Sequence, residues 1–129
     1  MDKKIILVTE DESRLRNVLK DKLTLEGFIV FEAKDGEEGL KLALSEYPDL
    51  MLVDIFMPKM DGLTMLRKIR EDSRGKKIKF IILTNADETD KIAEAMQVAG
   101  VEDDKTFDYY VKSDIKMEDV IAKVKGKLG

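Results

Sequence analysis

The sequence predicts an α/β fold: a doubly wound, five-stranded parallel sheet in the order 2-1-3-4-5 with five helices. Three observations predict it. Apolar runs of strand length alternate with apolar residues at helical spacing, which is the pattern of βαβ units. Four of those runs end on a polar group, at Glu10-Asp11, Asp54, Thr84 and Lys112. No linker, internal repeat or low-complexity tract interrupts the 129 residues, so residues 1–129 are read as one domain around one core.

The elements follow in order. Residues 4–9 form the first strand, and Leu15, Val18, Leu19 and Leu23 then recur at helical spacing up to a C-cap at Gly27. Phe28 to Ala33 is the second strand, after which Asp35-Gly36 turns into a helix carrying Leu40, Ala43 and Leu44 that stops near Tyr47-Pro48. Met51 to Asp54 is the third strand, and Asp61-Gly62 opens a helix with Leu63, Leu66 and Ile69. Ile78 to Thr84 is the fourth, followed by a helix from about Asp87 with Ile92, Ala95, Met96 and Ala99. Val111 anchors a short fifth strand, and Met117, Val120, Ile121, Val124 and Leu128 stripe the last helix. Core packing is the simplest role of these stripes. Gly100 to Asp108 is irregular and charged, and reads as a solvated loop; Arg74-Gly-Lys-Lys reads as a solvated turn.

Composition removes several function classes. The chain is 43% apolar and 39% charged, enough for an ordinary core with a charged surface. A net charge of −4 argues against direct binding to nucleic acid or to an anionic membrane. Without cysteine there is no disulfide framework or thiolate site, and without histidine no histidine-ligated metal or histidine-based catalysis. No 18-residue apolar run or signal-like N-terminus occurs, so a soluble cytoplasmic chain is expected.

In a doubly wound sheet ligands sit beyond the carboxyl ends of the strands, at the switch point. With strands 1 and 3 as central neighbours, Glu10, Asp11 and Asp54 come side by side, with Thr84 on the next strand and Lys112 one further out. Clustered carboxylates repel one another unless a cation neutralises them. An oxygen-only ligand set favours a hard ion such as Mg²⁺. A carboxylate can attack phosphorus to give an aspartyl phosphate, with positioning and charge neutralisation supplying most of the catalysis. Singly each feature has a plainer role, since an acid pair after a strand serves equally as a helix cap. Their joint occurrence at four strand ends points to one site.

The segments Ile-Leu-Val-Thr-Glu10-Asp11-Glu, Leu-Met-Leu-Val-Asp54-Ile-Phe-Met-Pro58, Asp61-Gly62, Ile-Ile-Leu-Thr84-Asn-Ala and Tyr109-Tyr-Val-Lys112 carry a family resemblance. The chain resembles the receiver domain of bacterial two-component response regulators over essentially its whole length, in a stand-alone, chemotaxis-regulator-like form on a flavodoxin-like fold. The resemblance implies that Asp54 is the phosphoacceptor. It implies that Asp11 and Asp54 bind Mg²⁺ directly, Glu10 through water and Phe56 through its main-chain carbonyl. Thr84 and Lys112 would contact the phosphoryl group, and Thr84 and Tyr109 would form the switch. The implied partners are a sensor histidine kinase or phosphotransfer protein as donor and an unknown downstream protein, with no direct nucleic acid and no membrane. Such a domain is a phosphoacceptor rather than a turnover enzyme, catalysing only its own phosphoryl transfer and slow dephosphorylation.

Three departures stand out. Glu10 replaces the commoner aspartate of the acid pair. Ser113 stands where the family usually has proline, and a cis bond there would cost roughly 3–4 kcal/mol, leaving a strained bond or a rebuilt loop. The expansion at 101–108 falls just before the switch tyrosine, on the face receivers use for partners. Of the rival functions, an aspartate-nucleophile phosphatase commonly carries a second acid two residues on, where this chain has Phe56. A receiver-like module signalling without phosphate is disfavoured by the presence of Asp54, Thr84 and Lys112.

Overall fold

Strand side chains alternate between two apolar clusters, one on each face of a single sheet. The computed structural model describes residues 3–85, 90–99 and 107–129. β1 (Ile5–Thr9), β2 (Ile29–Ala33), β3 (Leu50–Asp54), β4 (Lys79–Thr84) and β5 (Phe107–Val111) pair in parallel in the order β2-β1-β3-β4-β5, as expected. The crossovers are α1 (Ser13–Leu25), α2 (Gly36–Glu46), α3 (Gly62–Arg70) and α4 (Ile92–Ala99), and α5 (Met117–Leu128) closes the fold. Leu7, Met51, Val53, Phe80 and Ile82 face α2, α3 and α4, whereas Ile6, Val8, Leu52, Ile81 and Leu83 face α1 and α5. Both faces are covered, which is why the central strands are apolar throughout.

Local chemistry sets the element ends. α1 closes through Gly27 at φ +97°, where Phe28 N–H donates to Leu23 O at 3.2 Å and Gly27 N–H to Thr24 O at 3.0 Å. Asp35 Oδ1 accepts from Glu38 N–H and Asp61 Oδ1 from Thr64 N–H, each at 2.8 Å, capping α2 and α3. Met65, absent from the expected stripe, is fully buried on α3 beside Leu66 and Ile69.

The fifth strand differs from the sequence reading. β5 begins at Phe107, so Phe107 and Asp108 belong to the strand rather than to the irregular stretch. Asp108 carries no apolar signal, but its carboxylate is met by Lys127 Nζ at 2.8 Å, which makes it compatible with the sheet. The expected start of α4 near Asp87 and the segment 100–106 lie outside the described residues. Around Ser113 there is no cis bond among the described residues, and the chain leaves β5 through a 3-10 turn, Lys112–Asp114. No helix among the described residues is long and apolar enough to cross a membrane.

Candidate functional site

Parallel register builds the site. Asp54, the last residue of β3, pairs with Leu83, and Thr84, one residue further on, pairs with Val111, which Lys112 follows. On the other side β1 pairs with β3 up to Thr9–Val53, so Glu10 emerges beside Asp54. Carboxylate oxygens of Glu10, Asp11 and Asp54 all lie within 4.8 Å of one another. Glu10 and Thr84 are fully buried and Asp54 is 1% exposed, while Asp11 faces solvent.

Lys112 is the counter-charge. Its Nζ lies 2.7 Å from Glu10 Oε1 and 3.0 Å from Asp54 Oδ2. The Glu10 carboxylate thus meets the lysine through Oε1, while Glu10 Oε2 accepts from Glu12 N–H at 3.2 Å. α1 has Glu12 as its N-cap and no acid in its first turn, so Glu10 and Asp11 are not the first-turn acids of a helix. Arg16, which the sequence reading missed, donates to the Glu10 carbonyl at 2.8 Å and steadies the β1–α1 loop. No sequence signal marked it.

Among the described residues, one ammonium faces three carboxyls and does not balance them. Burial first, and then the Glu10 and Asp11 carboxyls, push Asp54 up to about 9. Burial would also raise Asp11, but hydrogen bonding with Asp54 and Glu10 and the charge of Lys112 outweigh it and hold Asp11 below the usual carboxylate range. For Lys112, burial acts downward, and Glu10 and Asp54 more than reverse it. Asp54 Oδ1 is buried and finds no hydrogen-bond partner among the described residues. A buried acceptor without a donor costs about 1–3 kcal/mol. An all-oxygen cluster with a free, buried acceptor fits a hard dication.

The remaining expected residues sit as follows. Thr84 Oγ1 donates to the carbonyl of Asn85 at 3.2 Å. Phe56 is 49% exposed between buried Ile55 and Met57, and Tyr109 is also 49% exposed. The structure thus gathers Glu10, Asp11, Asp54 and Lys112 into one cluster, with Thr84 on the adjoining strand end. Tyr109 pairs with Ile82 further back along the sheet, its ring outside the cluster.

Residues 6–125 match the family model described as the response regulator receiver domain. The chain belongs to that family. The receiver is 36% identical over 123 residues to the response regulator ArlR of Staphylococcus aureus, covering 95% of this chain and 52% of that protein. Across the curated relatives it matches, the chain spans 28% to 52% of their length. The receiver domain of the sensor histidine kinase PA1611 from Pseudomonas aeruginosa superposes with a TM-score of 0.83 at 25% identity, covering 99% of both chains, and that structure has a magnesium ion coordinated in its active-site cleft. A CheY-like receiver domain protein from Methanospirillum hungatei gives a TM-score of 0.82 at 28% identity over 98% of this chain and 94% of that one. The receiver is therefore a module of two-component signalling, a kind of domain that partners with histidine kinases, and its acidic cluster is typical of a phosphoacceptor site. It is a phosphoacceptor signalling module rather than a classical enzyme.

Proposed function

We propose that Asp54 accepts a phosphoryl group from a phosphohistidine of a sensor histidine kinase or phosphotransfer protein, and that residues 1–129 act as one receiver domain. The observation that carries this reading is Asp54 itself. It is a buried strand-end carboxylate with an Oδ1 that has no hydrogen-bond partner among the described residues, two carboxyl neighbours, and Lys112 at 3.0 Å. A carboxylate oxygen of Asp54 forms the new bond to phosphorus as the phosphorus–nitrogen bond breaks, and its electron pair leaves with the donor imidazole.

Asp11 and Asp54 would hold Mg²⁺ directly, Glu10 through water, and Phe56 through its carbonyl. Bound there, Mg²⁺ supplies charge that offsets the repulsion between these carboxylates and a phosphoryl group. Lys112 then moves from Glu10 and Asp54 to a phosphoryl oxygen, and the Thr84 hydroxyl donates to another. Tyr109, half-exposed on β5, would be the ring that turns inward and changes the face offered to a downstream protein. Phe56 stands where an aspartate-nucleophile phosphatase would carry its general acid, which disfavours turnover on small substrates.

Acetyl phosphate supplies the donor for a direct test. Intact-mass analysis in the presence of Mg²⁺ is expected to show one phosphoryl adduct. The adduct is absent in Asp54→Asn and when the metal is chelated. Undiminished labelling in either case would sink the assignment.

A further inference from the structure

We propose that Gly36, at the first turn of α2, is a positioning residue of the phosphoacceptor site, holding the loop that carries the Phe56 carbonyl. This inference rests on Asp54 and the Phe56 carbonyl being cation ligands, and it adds what keeps them in place. The loop from Ile55 to Asp61 is anchored inward by Ile55 and Met57, both buried in the core. Its backbone folds on itself, with Met60 N–H donating to Pro58 O at 2.7 Å and Gly62 N–H to Ile55 O at 2.6 Å.

On its outer side the loop lies directly against α2. A Cβ added at Gly36 would fall 2.6 Å from the Met60 carbonyl carbon, 2.8 Å from Met60 Cβ, and closer still to the Met60 carbonyl oxygen. The obstacle is backbone, which cannot swing aside as a side chain can. Any side chain at 36 must therefore push the loop away or lift the start of α2. Lys59 ties the same two segments a second time, its Nζ 3.7 Å from Asp35 Oδ2. Asp35 in turn caps α2 through Glu38 N–H. Because the loop spans only the residues between Asp54 and α3, displacement at Met60 is passed to Phe56 within four residues.

Gly75, in the turn after α3 at the opposite edge of the sheet, provides the control. A Cβ there would fall 3.0 Å from the Ile69 carbonyl carbon and closer still to its oxygen, a backbone obstacle again but one away from the loop. Gly126, in α5, has nothing within 4 Å. Gly36→Ala and Gly75→Ala should both lower stability, but only Gly36→Ala should alter the site.

Mg²⁺ affinity by titration calorimetry reads this without any donor. Gly36→Ala is expected to raise the Mg²⁺ Kd at least about tenfold, with Gly75→Ala and Gly126→Ala within about twofold of wild type. Equal losses in Gly36→Ala and Gly75→Ala, or a wild-type Kd in Gly36→Ala, would overturn the positioning role. A wild-type Kd in Asp11→Ala would instead overturn the underlying site, and this proposal with it. Should Gly36→Ala not fold, hydrogen exchange on the wild-type protein decides, because coupling is reciprocal. Saturating Mg²⁺ is expected to slow exchange at the amides of residues 36–39 as well as 55–62. Slowing confined to 55–62 would refute the coupling.

Discussion

Asp54 and Asp72 lie at opposite edges of the same sheet, and their surroundings push them in opposite directions. At the amino edge, Asp72 Oδ1 accepts from Arg74 N–H at 2.8 Å and Gly75 N–H at 3.1 Å, and Oδ2 accepts from the Tyr47 hydroxyl at 3.0 Å. The Gly75 amide is the main reason its carboxyl titrates below the usual range. Asp49, on the same edge, accepts from Ile5 N–H at 2.8 Å. At the carboxyl edge Asp54 has, among the described residues, one ammonium, two like-charged neighbours and a buried oxygen without a hydrogen-bond partner, and burial helps push it up to about 9. The amino edge supplies its own donors and stabilises the fold. Among the described residues the carboxyl edge is short of positive charge, a shortage that the proposed dication would relieve.

This contrast can be broken most sharply at Asp11 and Lys112. Asp11→Ala removes a proposed cation ligand and should raise the Mg²⁺ Kd at least about tenfold, or roughly 1.4 kcal/mol. Lys112→Ala and Thr84→Ala should instead impair activation while binding Mg²⁺ nearly as wild type does. A greater loss of Mg²⁺ affinity in Lys112→Ala than in Asp11→Ala would reverse these roles.

A second effect concerns the lifetime of the phosphorylated form. Phe56 can shield an acyl phosphate but cannot orient water; Ala86, two residues past Thr84 and outside the described residues, has no hydrogen-bonding side chain that could do so. After donor removal at neutral pH with Mg²⁺, the adduct should persist for minutes or longer. Phe56→Asn should decay at least about tenfold faster, the low end of what general-base assistance supplies. Decay of the wild type within a few seconds, without a partner phosphatase, would contradict the role given to Phe56.

The smallest effect is expected at the other edge. Asp49→Ala removes the partner of Ile5 N–H and should lower stability by about 1 kcal/mol in urea unfolding. Labelling and Mg²⁺ affinity should stay within about twofold of wild type. A large loss of either would mean that the two edges are not independent.

The apolar stripes were legible because period and strand length carry them, from Ile5 to Leu128, and the sheet order came from the doubly wound fold those stripes imply rather than from the strands themselves. The strand-end residues were legible too, since Glu10, Asp11, Asp54, Thr84 and Lys112 each close an apolar run. What lay beyond the sequence was tertiary. Nothing local shows that Lys112 rests between Glu10 and Asp54, or that Arg16 reaches the Glu10 carbonyl. Asp35-Gly36 reads only as a turn until Met60 is found against it. The start of β5 was hidden because Asp108 looks like loop until Lys127, nineteen residues later, neutralises it.

The most direct test of the contrast is stability against pH, with and without Mg²⁺. Asp54 titrates near 3.8 when unfolded and about 9 when folded, so between those values the folded state holds more protons. Its contribution is fully present below pH 3.8 and is lost as pH rises toward about 9. Urea unfolding of the metal-free protein should therefore give lower stability at pH 8.5 than at pH 5.5. Saturating Mg²⁺ should restore the loss at pH 8.5, and Asp54→Asn should flatten the dependence without metal. Stability that is level or rising over this range in the metal-free wild type, or that Mg²⁺ leaves unchanged, would contradict the account.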